Sequence, residues 1–194
     1  HQGATTKAWA PDRAPETDVD WGNAGGGWVT GHSSIGDGPL ANGATQGMYE
    51  GTPDTPHQGR WWEIIQNYKV TILYTAPTAI RTCMKWGESI PAKFDLSSLR
   101  VLGSVGESIN PEAYVWYRQF IGGDNCPVVD TWWQTETGMI MIRPIPGVTE
   151  RKTGAAMKAI TGNVAEEVDA AGHTVPDGAG GELATHQQWP AEMG

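Results

Sequence analysis

Val70-Thr71-Ile72-Leu73-Tyr74-Thr75-Ala76-Pro77-Thr78-Ala79-Ile80-Arg81-Thr82-Cys83-Met84-Lys85-Trp86-Gly87 is the stretch on which the fold turns. Its first five residues are a β-branched and apolar run that suits a strand. Pro77 then opens a helix at its first turn, and Gly87 stops it. The same grammar recurs downstream. Leu99 to Val105 reads as a second strand ending in Gly106-Glu107. Asn110 supplies an N-cap and Pro111 a first helical position for residues 111–121 (PEAYVWYRQFI), which Gly122-Gly123 close. Pro127-Val128-Val129 is the third strand. Upstream, His57 to Asn67 places Trp61, Trp62, Ile64 and Ile65 at helical spacing, a helix that continues to Tyr68. Strand–helix–strand–helix–strand at these intervals predicts parallel crossover units, right-handed by default. The fold class is therefore α/β, a parallel-type sheet flanked by helices. Its loops at 75–77, 105–108 and 130–138 share one sheet edge.

The last of those loops carries the chemistry. Asp130-Thr131-Trp132-Trp133-Gln134-Thr135-Glu136-Thr137-Gly138 gathers acids, threonines, indoles and an amide into one turn. Leaving a buried polar group unpaired costs about 1–3 kcal/mol, so such density suits a ligand site. The carboxyl end of a strand in an open sheet is where α/β proteins place their ligands. A solvated loop whose tryptophans plug a gap is the plainer alternative.

Outward from this centre the pattern weakens. Residues 1–18 lack hydrophobic period and read as an irregular leader; residues 19–47 are glycine-heavy punctuation, with no phosphate-loop spacing. Residues 19–147 form the α/β segment, and 148–194 begin a small β-rich, antiparallel unit. Its extended pieces are Gly154-Ala155, Asn163 to Val168 and Gly180 to Leu183. A formal net charge of -9 opposes a nucleic-acid partner. No apolar run is long enough to span a membrane, and no signal pattern opens the chain, so a cytoplasmic setting is expected. Cys83 and Cys126 lack metal or redox spacing and suit buried thiols. Ten tryptophans leave a sugar-binding surface as a competing idea.

Six blocks occur in order: Trp28-Val29-Thr30-Gly31-His32, Gly38 to Ala44, Glu50-Gly51-Thr52-Pro53, Tyr74 to Thr78, Gly103-Ser104-Val105-Gly106-Glu107, and Asp130 to Gly138. With them the chain resembles the acetyl-CoA synthetase (acetate–CoA ligase) family of the adenylate-forming ANL superfamily. The likeness runs from about Asp18 to about Met193 and covers an internal fragment of the N-terminal, AMP-binding domain. In that family ATP and acetate give acetyl-adenylate and pyrophosphate, and coenzyme A then takes the acetyl group. The resemblance implies that Gly106, Glu107 and Ser108 lie along adenine, Glu107 largely through its main chain. It implies that Asp130, Thr131, Trp132, Trp133, Gln134 and Thr135 hold nucleotide, and that Glu136 reaches a Mg²⁺ bridging the phosphates. Val29, Thr30, Val105 and Trp133 would form the acetate pocket, with Trp133 as its floor. Thr30 and Asp54 match positions linked to coenzyme A. His32 suits a scaffold role.

The chemistry agrees with these roles on independent grounds. A carboxylate attacking an α-phosphate brings negative groups together, so a cation and hydrogen-bond donors matter more than a base. Mg²⁺ takes one or two carboxylates plus phosphate oxygens and water. A rigid indole excludes longer acids by shape.

The chain departs from the family pattern at several points. Ser108 stands for proline, loosening the turn, and Met139 for a glycine, with strain expected if that position needs positive φ. Gly36 and Asp37 weaken a helix expected over 32–38. The family's lysine-bearing phosphate loop, its ribose-binding aspartate with the accompanying arginine, and its mobile C-terminal domain have no match here. No catalytic residue is therefore assigned, and the chain alone is expected to lack ligase activity. A non-catalytic nucleotide-binding remnant or interaction module is the alternative.

Overall fold

A computed structural model describes residues 16–23, 30–31 and 36–186. Val29, His32 and most of the expected leader lie outside the described residues. Five parallel strands form the main sheet in the order β2-β1-β3-β4-β5. They are β1 (Val19–Gly22), β2 (Thr45–Gly47), β3 (Ile72–Thr75), β4 (Val101–Ser104) and β5 (Val128–Asp130). The helices are α1 (Asp37–Ala41), α2 (Arg60–Tyr68), α3 (Pro77–Trp86) and α4 (Pro111–Trp116). The α/β expectation with a parallel sheet thus holds.

The register explains where the polar residues fall. Thr75, Ser104 and Asp130 pair in one row across β3, β4 and β5, one residue beyond the row of Tyr74, Gly103 and Val129. Successive residues point to opposite faces, so the two rows serve opposite sides of the sheet. β3 and β4 are buried at every position, as strands covered on both faces must be. The core joins Leu73, Leu102 and Val128 to Trp61, Trp62, Ile65, Tyr117 and Ile121.

Several expectations need correction. Residues 19–47 are more than punctuation, because they contribute β1 and β2. β1 completes the core through Trp21, whose ring meets that of Trp61 edge-on at 5.4 Å. Asp18, expected at the end of the leader, is buried; it accepts a hydrogen bond from Thr71 Oγ1 at 2.9 Å and pairs with Arg100. α2 begins at Arg60, because residues 57–59 form a turn in which Gly59 N donates to His57 Nδ1 at 3.2 Å. Asn110 has the extended backbone of a cap, but its side chain makes no capping bond. The helix after it widens over Tyr117–Ile121 into a π-turn, closed by Gly122 N on Tyr117 O at 3.1 Å.

Met139 is unstrained. The positive φ falls on Gly138 at 68°, and Met139 packs with Met141 and Ile160. A small antiparallel pair, β6 (Ala165–Val168) and β7 (Glu182–Thr185), follows as expected. Ahead of it, isolated bridges join Trp132 to Ile142 and Ile142 to Ala159. Among the described residues no tryptophan is an exposed large hydrophobic, so they present no row of exposed indoles.

Candidate functional site

The C-terminal ends of β4 and β5 open into a cleft of ≈ 330 Å³. One wall is Gly106, Glu107 and Ser108. The other is Asp130, Thr131, Trp132, Trp133 and Gln134, while Gly154 and Ala156 close it from the β-rich segment. Gly106 turns at φ 92°, a conformation that favours glycine. The preceding strand can therefore swing its next residues out to the rim.

The Glu107 side chain faces away from ligand duty. Its carboxylate accepts from Thr78 N at 2.7 Å, from the Thr78 hydroxyl, and from Arg81 Nη2 at 2.9 and 3.0 Å. Those contacts satisfy an orphan amide at the start of α3 and pin the 106–108 loop to that helix. The Thr78 hydroxyl first, and Arg81 second, hold this carboxyl below its usual range. What remains for a ligand is the main chain of the loop.

Asp130 is the opposite case. Only 4 % exposed, it has one carboxylate oxygen, Oδ1, without a hydrogen-bond partner, and the buried Ser104 hydroxyl beside it is likewise unbonded. Burial pushes the Asp130 carboxyl up to about 6; the proximity of Ser104 and the Thr131 amide offset this only in part. A buried carboxylate oxygen left unpartnered is costly and favours a donor there.

Beyond it the chain makes a braced excursion. Trp132 N donates to Ile142 O at 2.9 Å, and Met141 N returns a bond to Trp132 O at 3.0 Å. Inside the loop, Gln134 N donates to Thr137 Oγ1 at 3.1 Å, and Thr137 N to Gln134 O at 3.2 Å. Thr137 is thereby buried as part of the scaffold, whereas Thr135 and Glu136 stand exposed at the tip and do not line the cleft.

The expected residues divide accordingly. Gly106, Glu107, Ser108, Asp130, Thr131, Trp132, Trp133 and Gln134 come together; Thr135 and Glu136 neighbour them in sequence. Val105 is buried at the end of β4, and Trp133 of the same expected acyl group lines the cleft. Thr30 is partly buried but outside the cleft lining. Asp54 is exposed in the 48–59 loop and accepts from Thr52 Oγ1 at 2.7 Å. Gly154 and Ala156 were missed by sequence reasoning. The signal was the φ of 76° at Gly154, whose Cα lies so close to the chain leading into α4 that a Cβ would come 3.1 Å from Ile109 O. Spacing in the sequence does not reveal such an approach.

Against known families, residues 2–193 match the model of the AMP-binding enzymes. The chain belongs to the AMP-binding enzyme family. It is 68% identical over 182 residues to an acetyl-coenzyme A synthetase of Streptomyces avermitilis, covering 94% of this chain and 28% of that protein. The corresponding protein of Rhodopirellula baltica is 53% identical over 188 residues, covering 97% and 28%. The chain thus spans less than a third of the curated relatives it matches. Among solved structures, an anthranilate CoA ligase in complex with anthranoyl-AMP superposes with a TM-score of 0.83. At 24% identity, covering 97% of this chain and 35% of that one, it supports the fold alone. Among the described residues no helix is long and apolar enough to cross a membrane.

Proposed function

We propose that this member of the AMP-binding family carries the nucleotide and acyl-pocket half of an acetate–CoA ligase active site. The whole enzyme would join acetate to ATP as acetyl-adenylate, releasing pyrophosphate, and pass the acetyl group to coenzyme A in a cytoplasmic setting. The observation that carries the reading is the cleft itself. It collects Gly106 to Ser108 and Asp130 to Gln134 around a buried carboxylate with one oxygen, Oδ1, unpartnered.

In this reading the exocyclic amine of adenine meets the Asp130 end, and the 106–108 main chain flanks the base. Trp133 limits the acyl group to two carbons, with Val105, Thr30 and Val29. Thr135, at the tip, would face the α-phosphate, and Thr30 and Asp54 the coenzyme A path. Glu136 makes no hydrogen bond or ion pair among the described residues, and its hard carboxylate oxygens suit Mg²⁺. No cluster of three His, Cys, Asp or Glu occurs among the described residues, so water and phosphate oxygens would fill the other positions. When bound, the ion would offset charge on the phosphates. The chain's own residues bind and orient.

The test is a titration of the 194-residue chain with AMP, with pyrophosphate release assayed alongside. Saturable AMP binding, lost in Asp130→Ala, is expected without turnover. A chain that binds no AMP sinks the nucleotide reading. Turnover by the chain alone would show that the lysine-bearing parts of the family are dispensable. The alternative, a non-catalytic nucleotide-binding remnant or interaction module, predicts equal affinity for AMP and an acetyl-adenylate mimic, or no binding of either.

A further inference from the structure

We propose that Tyr74 is a positioning residue of this cleft: its hydroxyl, reaching across β4 through the gap left by Gly103, fixes Thr131 Oγ1 as a hydrogen-bond acceptor toward the ligand. The inference rests on the nucleotide reading above. It assigns work to a side chain on β3, which does not line the cleft.

The route across the sheet is set by one missing methyl. Tyr74 and Gly103 pair directly in the register of β3 and β4, and Gly103 pairs with Val129 of β5. A Cβ at position 103 would lie 2.2 Å from Tyr74 Cδ2, far inside contact distance. The ring therefore lies over Gly103, and no other residue permits it there. Its hydroxyl arrives 2.9 Å from Thr131 Oγ1, a buried contact. Thr131 follows Val129 by two residues, on the same face of the sheet.

Donor bookkeeping gives the direction. A threonine hydroxyl has one hydrogen and two lone pairs. Thr131 Oγ1 lies 2.6 Å from Ser104 O, a carbonyl that can only accept, so the hydrogen is committed there. Tyr74 must then donate to Thr131. One lone pair of Oγ1 is left for the cleft, and no hydrogen. The neighbouring carboxylate of Asp130 is also an acceptor when ionised. The Thr131 hydroxyl therefore presents an acceptor and no donor at the end of β5. It matches a purine with an exocyclic amine and mismatches a ring carbonyl or a phosphate oxygen. Within the candidate site, Thr131 belongs beside the base rather than the phosphates.

Tyr74→Phe removes the donor and keeps the ring. Threonine-methyl NMR of the chain, with AMP and IMP titrations, tests the assignment. The Thr131 methyl resonance is expected to move in Tyr74→Phe while those of Thr161 and Thr174 stay in place. AMP affinity is expected to fall about 3–10-fold, the effect of one hydrogen bond, and the preference for AMP over IMP to narrow. The double variant Tyr74→Phe/Thr131→Val should lose no more than Thr131→Val alone, because both act through one hydroxyl. An unmoved Thr131 methyl, or additive losses, would overturn the proposal. If the unsubstituted chain binds no AMP, the nucleotide reading fails and takes the ligand half with it. The methyl shift would still decide the Tyr74–Thr131 bond.

Discussion

Asp130 and Thr131 end a strand whose neighbours hold them, whereas Thr135 and Glu136, a few residues on, stand in solvent at the tip of a turn. Both pairs belong to the polar Asp130–Gly138 segment. The first pair is fixed before any ligand arrives, Asp130 by its pairing with Ser104 in the β4–β5 register and Thr131 by bonds to Ser104 O and Tyr74. The second has no hydrogen bond to a neighbouring strand among the described residues; the turn is closed locally, by Gly138 N donating to Thr135 O at 3.2 Å. Preorganised groups spare a ligand the entropy of fixing them, so the strand-end half suits recognition of the base. The tip suits a charged, hydrated group whose position varies during a reaction.

The contrast can be broken by experiment, beginning with the sheet beneath the fixed half. Leu102 is fully buried at the centre of β4 and within the main core cluster. Leu102→Ala is expected to cost about 2–5 kcal/mol in denaturant unfolding, with AMP binding weakened in parallel. A loss below about 1 kcal/mol would show that the sheet is not what holds the site rigid.

A smaller effect follows at Asp130. Its folded-state pKa is raised from 3.8 to about 6, chiefly by burial. The folded state therefore holds the proton more tightly than the unfolded chain. That contribution to stability is complete below about pH 4 and is lost as pH rises through about 6. Asp130→Asn should flatten this falling limb, and at pH 7 it should leave the chain at least as stable as the parent. Unfolding midpoints at pH 4.5 and pH 7 check it; an unchanged pH slope would refute the buried, unpaired carboxylate.

The smallest effect belongs to the tip. Glu136→Ala should alter stability by no more than about 0.5 kcal/mol. AMP binding without Mg²⁺ should be unchanged, and only the Mg²⁺-dependent gain with ATP should fall. Loss of metal-free AMP binding would join the tip to the fixed half and erase the comparison.

Legibility followed the length and regularity of each element. β3, α3, β4 and β5 were readable because apolar runs alternate with proline-opened helices. β1 and β2 were not: Val19–Gly22 carries Asp20 at a buried position, and Thr45–Gly47 is short and polar. Neither has a period of its own. β1 becomes a strand because the edge of β3 offers backbone partners, pairing Asp20 with Ile72 and Trp21 with Leu73, and β2 then adds to the free edge of β1. At the site, the 106–108 and 130–134 residues were found from their motifs, while Gly154, Ala156 and Tyr74 were not. Each of these three acts across a sequence separation that spacing does not encode.

The order of residues alone determined the α/β class, the shared edge of the three loops and the adenylate-forming resemblance. These rest on local propensity and on motifs whose members are adjacent in the chain. Tertiary structure decided that Glu107 clamps α3, that Asp130 is buried with its Oδ1 unpartnered, that Met139 is unstrained and that Tyr74 contacts Thr131. Hydrogen-bond partners and burial are properties of distance between strands. Only the folded sheet brings β3, β4 and β5 within that distance.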